Sequence, residues 1–290
     1  MKLIELLKSN RPTVSCELFP PKPGTALMDA PTVVRRTAAA HPAYISFTCS
    51  AGGSGNGGAN TADMANEVQN VNGITALAHL TCVAVNREQI HQSLEDLKKL
   101  GIENILALRG DIPDGGVFPL PDGYRHASEL VADIRDFGGF CIGGACYPEG
   151  HPESATLAED IDNLKYKIDA GCEFLTTQMF FDNNELYRYL YRLRQAGIEV
   201  PVVAGIMPVT NANQIKRITS LSSSKLPARF RAIIDRFGDD PAAMQQAGVA
   251  YATEQLIDLL ANGVDHVHIY TMNKPEIAGR IMANLSEILK

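Results

Sequence analysis

Glu17 stands where a carboxylate is costly. It lies between Cys16 and Leu18-Phe19, inside an otherwise apolar segment that begins at Thr13. A carboxylate withdrawn from water there either pairs with a cation, for which Arg109 is the candidate, or keeps its proton in part through desolvation. The first role is structural, and the second is that of a general acid. A second group of competent residues follows the apolar run Ile105-Leu106-Ala107-Leu108. There Arg109, Gly110 and Asp111 set a cation, a flexible residue and an anion side by side. Taken alone, these read more readily as a strand end turning into a solvated loop. The pattern recurs, with Thr48, His79, Tyr147, Gln178 and Tyr270 at or near the ends of other apolar runs. Glu149, His151, Asp182, Asn273 and Lys274 stand just beyond them. One such residue could be chance. A hydrogen-bonding set at nearly every run exceeds what a core needs and points to a site.

The segments carrying these residues are short β-rich apolar runs: 13–19, 44–49, 74–82, 104–108, 140–147, 174–181, 202–207 and 266–271. Between them, helices are expected over 26–40, 61–71, 86–101, 126–137, 156–170, from Asn183 onward, 211–221 and 275–288. Asn86 caps one whose Ile90, Leu94, Leu97 and Leu100 share a face. Residues 227–262 read as an added helical insertion before the last strand. Eight strand–helix units without a break, in a chain of 290 residues, imply a closed (β/α)8 TIM barrel of the α/β class, one domain over 1–290. The alternative is an open doubly wound sheet, which would want a Gly-x-Gly-x-x-Gly after the first strand. The glycine-rich stretch 51–58 supplies neither that fingerprint nor a phosphate loop and reads as a mobile loop. In a barrel the strand C-termini share one face, so the polar residues above converge on one mouth.

Composition sets outer limits. The net charge is −7 with acids and bases interspersed, which argues against nucleic acid or an anionic membrane as partner. No apolar run approaches a membrane span, and residues 1–10 are too short and wrongly flanked for a signal peptide, so a cytoplasmic protein is expected. The six cysteines, Cys16, Cys49, Cys82, Cys141, Cys146 and Cys172, form no C-x-x-C pair and have no histidine at zinc spacing. They are expected to be reduced, buried thiols, with no metal site.

Together the motifs resemble one family. Val14-Ser-Cys-Glu-Leu-Phe-Pro-Pro-Lys22 is similar to the Phe-Glu-Phe-Phe-Pro-Pro-Lys opening of 5,10-methylenetetrahydrofolate reductases. Ala78-His-Leu-Thr-Cys82, Leu106-Ala-Leu-Arg-Gly-Asp111, Tyr147-Pro-Glu-Gly-His-Pro152, Thr177-Gln-Met-Phe-Phe-Asp182 and Gly205-Ile-Met-Pro208 look like its other blocks, in the same order. The resemblance covers nearly the whole chain and is to the bacterial catalytic-barrel form. It implies a flavoenzyme with FAD at the barrel mouth. A hydride passes from NADH or NADPH to the flavin and on to methylenetetrahydrofolate, in ping-pong fashion, giving 5-methyltetrahydrofolate for methionine biosynthesis. By motif, Glu17 is the general acid that protonates the leaving folate nitrogen, and Asp111 stabilises the resulting cation. Gln178, Gln214, Tyr270 and Lys274 would contact the folate or the nicotinamide. FAD would be held by Thr48, His79, Leu108, Arg109, Gly110, Asp111, His126, Ala127, Tyr147, His151, Asp160, Asn163, Tyr166 and Lys167. Asp160, Asn163 and Lys167 share one helix face, although a solvated charged face has the same spacing. A homo-oligomer is expected.

The chain also departs from the best-known bacterial pattern. His126 stands where that pattern has Tyr, Tyr166 and Lys274 where it has Arg, Ile218 where an aromatic stacks on substrate, and Cys49 where an aromatic follows the Thr. Lysine keeps the charge of arginine but loses its bidentate fork. These changes touch nicotinamide stacking and the folate tail. Two other classes therefore stay open: the same flavin barrel reduced by an accessory electron-transfer subunit, and a non-redox pterin-binding methyltransferase module. The first would not turn over with soluble nicotinamide, and the second would be colourless.

Overall fold

The computed structural model describes residues 1–9, 11–20, 29–48, 57–112, 115–221 and 225–290. Eight parallel strands close on themselves in sequence order: β1 (Thr13–Leu18), β2 (Ile45–Phe47), β3 (Ala76–Thr81), β4 (Asn104–Leu108), β5 (Cys141–Cys146), β6 (Phe174–Thr177), β7 (Val202–Ile206) and β8 (His266–Tyr270). The seam is made by β1 and β8, paired from Thr13↔His266 to Glu17↔Tyr270. Helices alternate with the strands: α2 (Ala30–Ala38), α3 (Gly57–Asn66), α4 (Arg87–Lys99), α5 (Ala127–Phe137), α6 (Leu157–Asp169), α7 (Asn183–Gln195), α8 (Ala212–Leu221) and α11 (Pro275–Leu285). The architecture is a (β/α)8 barrel. No helix among the described residues is long and apolar enough to cross a membrane.

Local chemistry sets the helix starts. Asn86 and Gln89 form a reciprocal capping box on α4. Thr156 caps α6 and Asp182 caps α7, each accepting a backbone N–H of the first turn. The insertion is two helices rather than one block, α9 (Ala228–Phe237) and α10 (Pro241–Ala261), parted at Gly238 and restarted by the Asp240 cap. The expected helix 61–71 begins earlier, so Gly57 and Gly58 open α3 instead of ending a loop, and it finishes in a π turn over Glu67–Val71. Residues 51–56 of the expected loop and Cys49 lie outside the described residues. The other five cysteines are free and buried.

Strand side chains alternate between two cores. One lies between sheet and helices and includes Val14, Cys16, Ile45, Ala78, Ile105, Leu175 and Ile269. The other fills the lower barrel with Tyr44, Leu77, Leu106, Cys141, Phe174 and Val203. A short helix absent from the sequence reading, α1 (Leu3–Leu7), closes that end by inserting Leu3 and Leu7. Buried Asn104 clamps it, accepting the Leu3 N–H at 2.7 Å and donating to Met1 O at 3.1 Å. A third cluster, Phe181, Val209, Ile215, Ile218, Phe230 and Met244, lies beneath α8, α9 and α10.

Candidate active site

The parity of the strands turns Ser15 and Glu17 (β1), Ser46 (β2), His79 (β3), Thr176 (β6), and His268 and Tyr270 (β8) into the upper barrel. The Glu17 carboxylate is 19% exposed, with Oε2 3.7 Å from His79 Nε2 and 3.8 Å from His268 Nε2. His268 is buried. Its Nδ1 lies 2.6 Å from Ser15 Oγ and its Nε2 3.3 Å from Ser46 Oγ. Ser15 also donates to Val267 O at 3.2 Å. The His268 ring stacks on Tyr44 and meets Tyr270 edge-on. His79 is buried, and its Nε2 has no hydrogen-bond partner among the described residues. Burial pushes its imidazole down to about 4 against the opposing charge of Glu17, so it is neutral at ordinary pH.

Arg109 is not the partner of Glu17, and the expected alternative of a buried ion pair between them is corrected. Its guanidinium forms a bidentate pair with Glu153, with Nη1 2.7 Å from Oε2. The pair forms because the β5–α6 loop brings Glu153 over the end of β4. It raises the guanidinium and holds the Glu153 carboxyl below its ordinary range. Glu17 is left with no Lys or Arg at ion-pair distance among the described residues.

Around the rim, Tyr147 meets His151 edge-on at 4.7 Å. Burial raises the Tyr147 phenol to about 12. His151 Nδ1 accepts the Glu153 N–H at 3.1 Å, and burial lowers the imidazole below its usual range. Burial also raises the Asp160 carboxyl, opposed by His151 and Lys167. Lys167 is lowered by burial and donates to Ala145 O at 2.7 Å, beneath the rim. Asp160 and Lys167 thus turn toward β5 while Asn163 is exposed. Tyr166 is 68% exposed on the outer surface of α6, apart from these groups. Asp111 is exposed just past β4, after Leu108, which packs on the lower barrel core, and Gly110. His126 precedes α5 without a side-chain cap bond, and Ala127 is the first residue of that helix. The Thr48 N–H donates to Leu18 O at 3.0 Å.

The opposite side of the mouth is built from β6, β7 and β8. The Gln178 N–H donates to Cys146 O at 2.7 Å, and its Oε1 accepts the Met179 N–H at 3.0 Å. Tyr270 donates to Thr177 O at 2.6 Å. Its ring crosses Gly205, where a Cβ would come within 2.6 Å of ring carbon. Lys274 donates to Thr210 Oγ1 at 2.7 Å, and Gln214 Oε1 accepts the Thr210 N–H at 3.1 Å. Gly248 of α10 seats this loop, since a Cβ there would lie 1.8 Å from Val209 O. Ile218 is buried among Phe181, Phe230 and Met244 and faces that cluster. Glu149 accepts the Lys225 N–H, and Asp182 is spent on its cap.

Sequence reasoning overlooked His268, Ser15, Ser46 and Thr210. The signal for the first two was present: His266, His268 and Tyr270, like Ser15 and Glu17, alternate with apolar residues along one strand face. Chemically, the site offers a carboxyl group at the mouth end of the barrel, two buried imidazoles beside it, and cationic and amide donors around the rim.

A family model described as methylenetetrahydrofolate reductase matches residues 2–286. The methylenetetrahydrofolate reductase (NADH) 1 of Zea mays is 35% identical over 306 residues, 99% of this chain and 50% of that protein. The 5,10-methylenetetrahydrofolate reductase of Pectobacterium carotovorum is 34% identical over 277 residues, 95% of this chain and 90% of that one. The enzyme of the same name from Escherichia coli is 32% identical over 274 residues, covering 94% and 90%. The chain thus spans about half the length of the plant relative and nine-tenths of the bacterial ones. Among solved structures, a Clostridium thermocellum protein described as binding two copies of 5-methyl-5,6,7,8-tetrahydrofolic acid superposes with a TM-score of 0.62 at 11% identity, covering 99% of this chain and 100% of that chain. Oxaloacetate acetylhydrolase superposes with a TM-score of 0.54 at 11% identity, covering 99% and 85%. At such identities the likeness concerns the barrel alone.

Proposed function

The chain belongs to the methylenetetrahydrofolate reductase family, and from that premise we propose that it is a flavin barrel that reduces 5,10-methylenetetrahydrofolate to 5-methyltetrahydrofolate. The observation that carries the reading is Glu17: a partly buried carboxyl beneath the mouth, between His79 and His268, with no Lys or Arg at ion-pair distance among the described residues. The residues present fit FAD. His79 has a buried ring nitrogen without a hydrogen-bond partner among the described residues, and Arg109 and His151 lie on one side of the rim with Lys167 beneath them. Bound there, the flavin supplies hydride transfer from a reduced nicotinamide to the folate. His79, Arg109, Tyr147, His151, Asp160 and Lys167 would hold it, with Thr48, Leu108, Gly110, His126, Ala127 and Asn163 completing the contact.

The chain's own work is proton transfer and positioning. Reduction of the methylene bridge consumes one hydride and one proton. The proton goes from Glu17 to the folate nitrogen that departs as the bridge opens, leaving a cationic iminium carbon to accept the hydride. Asp111, on the rim, stabilises that cation. Gln178, Gln214, Tyr270 and Lys274 orient the substrates from the other side. Lys274, already held by Thr210, offers a point charge to an anionic substrate tail. Tyr166 faces outward and would contribute little to the flavin.

Anaerobic stopped-flow tests the reading. The purified yellow protein should be bleached by NADH or NADPH and recover its colour on mixing with methylenetetrahydrofolate. A colourless protein, or a reduced flavin indifferent to that folate, would refute it. Reduction by a protein donor is a second reading, favoured by Ile218, which packs inward where the best-known bacterial pattern has a stacking aromatic. It predicts recovery with the folate but no bleaching by either nicotinamide.

A further inference from the structure

The turn after β8 is strained and grips the strand that carries Glu17. Met272 and Asn273 both have left-handed backbones, with φ of 53° and 54°. The Lys274 N–H closes the turn onto Thr271 O at 3.0 Å. Positive φ at two successive non-glycine residues is uncommon, asparagine tolerating it far better than methionine. Such strain persists where the surroundings over-determine it, and it gathers at functional sites.

Three hydrogen bonds do so here. Thr271 donates its hydroxyl to Glu17 O at 2.6 Å. Asn273 Oδ1 accepts the Phe19 N–H at 3.0 Å, and its Nδ2 donates to Phe19 O at 2.8 Å. The asparagine amide thereby satisfies both backbone groups of one residue just past the last ladder pair of β1, where the sheet no longer does so. Thr271 and Asn273 are both buried, so water does not compete for these bonds. The grip ties the backbone of Glu17 to the short segment bearing Tyr270 on one side and Lys274 on the other.

We propose that Asn273 is a positioning residue that fixes Glu17 relative to Tyr270 and Lys274, so that acid and substrate contacts move as one body. The proposal rests on Glu17 being the acid of the reaction above. A carboxyl displaced by about 1 Å can lose on the order of 10²-fold in rate. No other side chain among the described residues holds the backbone of Phe19.

The test uses the flavin-loaded enzyme and follows the two half-reactions separately. Asn273→Gly removes the amide but accepts the left-handed backbone, so the fold is spared the strain. Its flavin content and its rate of bleaching by nicotinamide should match wild type, while recovery of colour at saturating methylenetetrahydrofolate slows by roughly 10–100-fold. Asn273→Asp keeps the acceptor for the Phe19 N–H and loses the donor to Phe19 O, and should fall between the two. Met272→Gly relieves strain without touching the grip. It should raise the melting temperature and leave both half-reactions unchanged. Wild-type folate reactivity in flavin-replete Asn273→Gly would overturn the positioning role. Equal slowing in Met272→Gly would overturn it too, by assigning the effect to turn conformation. Failure of the wild-type protein itself to recover colour with the folate would remove the functional reading, an outcome seen before any variant is made.

Discussion

Acidification should expose the cost of burying His79 neutral. In the unfolded chain its imidazole has the ordinary value of 6.5, and in the fold burial lowers it to about 4. Below 6.5 the unfolded state binds a proton that the folded state refuses, so stability falls with pH across this window. The stabilisation is complete above about 6.5 and lost as pH drops through about 4. From these two values the loss is about 2 kcal/mol by pH 5 and about 3 kcal/mol by pH 4. That is a large fraction of the roughly 5–15 kcal/mol that holds a typical protein folded. Urea unfolding at half-unit steps from pH 7.5 to 4.5 measures it, with His79→Gln as the reference that cannot titrate. Carboxylates elsewhere contribute equally to both proteins and cancel in the difference. The gap between the curves should change by about 2 kcal/mol between pH 7 and 5 in the sense that wild type loses more. Because Glu17 lies 3.7 Å away and opposes the shift, Glu17→Gln should move the window to lower pH. Parallel wild-type and His79→Gln curves over this range would refute the reasoning.

Three further outcomes are expected. Glu17→Gln should bind flavin and be bleached by nicotinamide normally, while folate-driven recovery falls by about 10²–10⁴-fold; near wild-type recovery in flavin-replete protein would end the acid assignment. Gly248→Ala must push α10 away from Val209 O, which a Cβ would approach to 1.8 Å. Denaturant titration should show a loss of about 1–3 kcal/mol, and the folate KM should rise as Thr210 and Lys274 shift; an unchanged midpoint would contradict the close packing. Asn104→Ala orphans the Leu3 N–H and releases Met1 O, at a cost of about 1–3 kcal/mol for the buried donor. Limited proteolysis should then cut within residues 1–10 first, and resistance equal to wild type would count against the clamp.

The barrel was legible because its strands read as short apolar runs separated by capped helices, and Asn86, Thr156 and Asp182 cap as such residues should. Convergence of the strand ends on one mouth followed from topology alone. What escaped was anything whose meaning depends on closure. The five residues of α1 are too few to announce a helix, and they matter only because a barrel end needs filling. From the sequence Arg109 is a candidate partner for Glu17, whereas the β5–α6 loop delivers Glu153 to it. His268 passed for one more residue of an eighth strand until β8 met β1 and set it beside Ser15. The split between α9 and α10, by contrast, was written in Gly238-Asp239-Asp240-Pro241 and could have been read.

The β1–β8 seam has a consequence for the birth of the protein. Thr13 and His266, partners across it, are separated by 253 positions. A ribosome adding about 5–20 residues per second takes roughly 13–50 s to cover that distance. Throughout that interval β1 has a bare edge, with Ser15 and Glu17 facing a half-built interior. An unpaired apolar edge of this kind invites pairing with other chains, and long-range closure is slow once its partner arrives. The last strand therefore sets the pace of maturation. Slowed synthesis between β7 and β8 should lengthen dependence on chaperones more than an equal delay placed after the seam has closed.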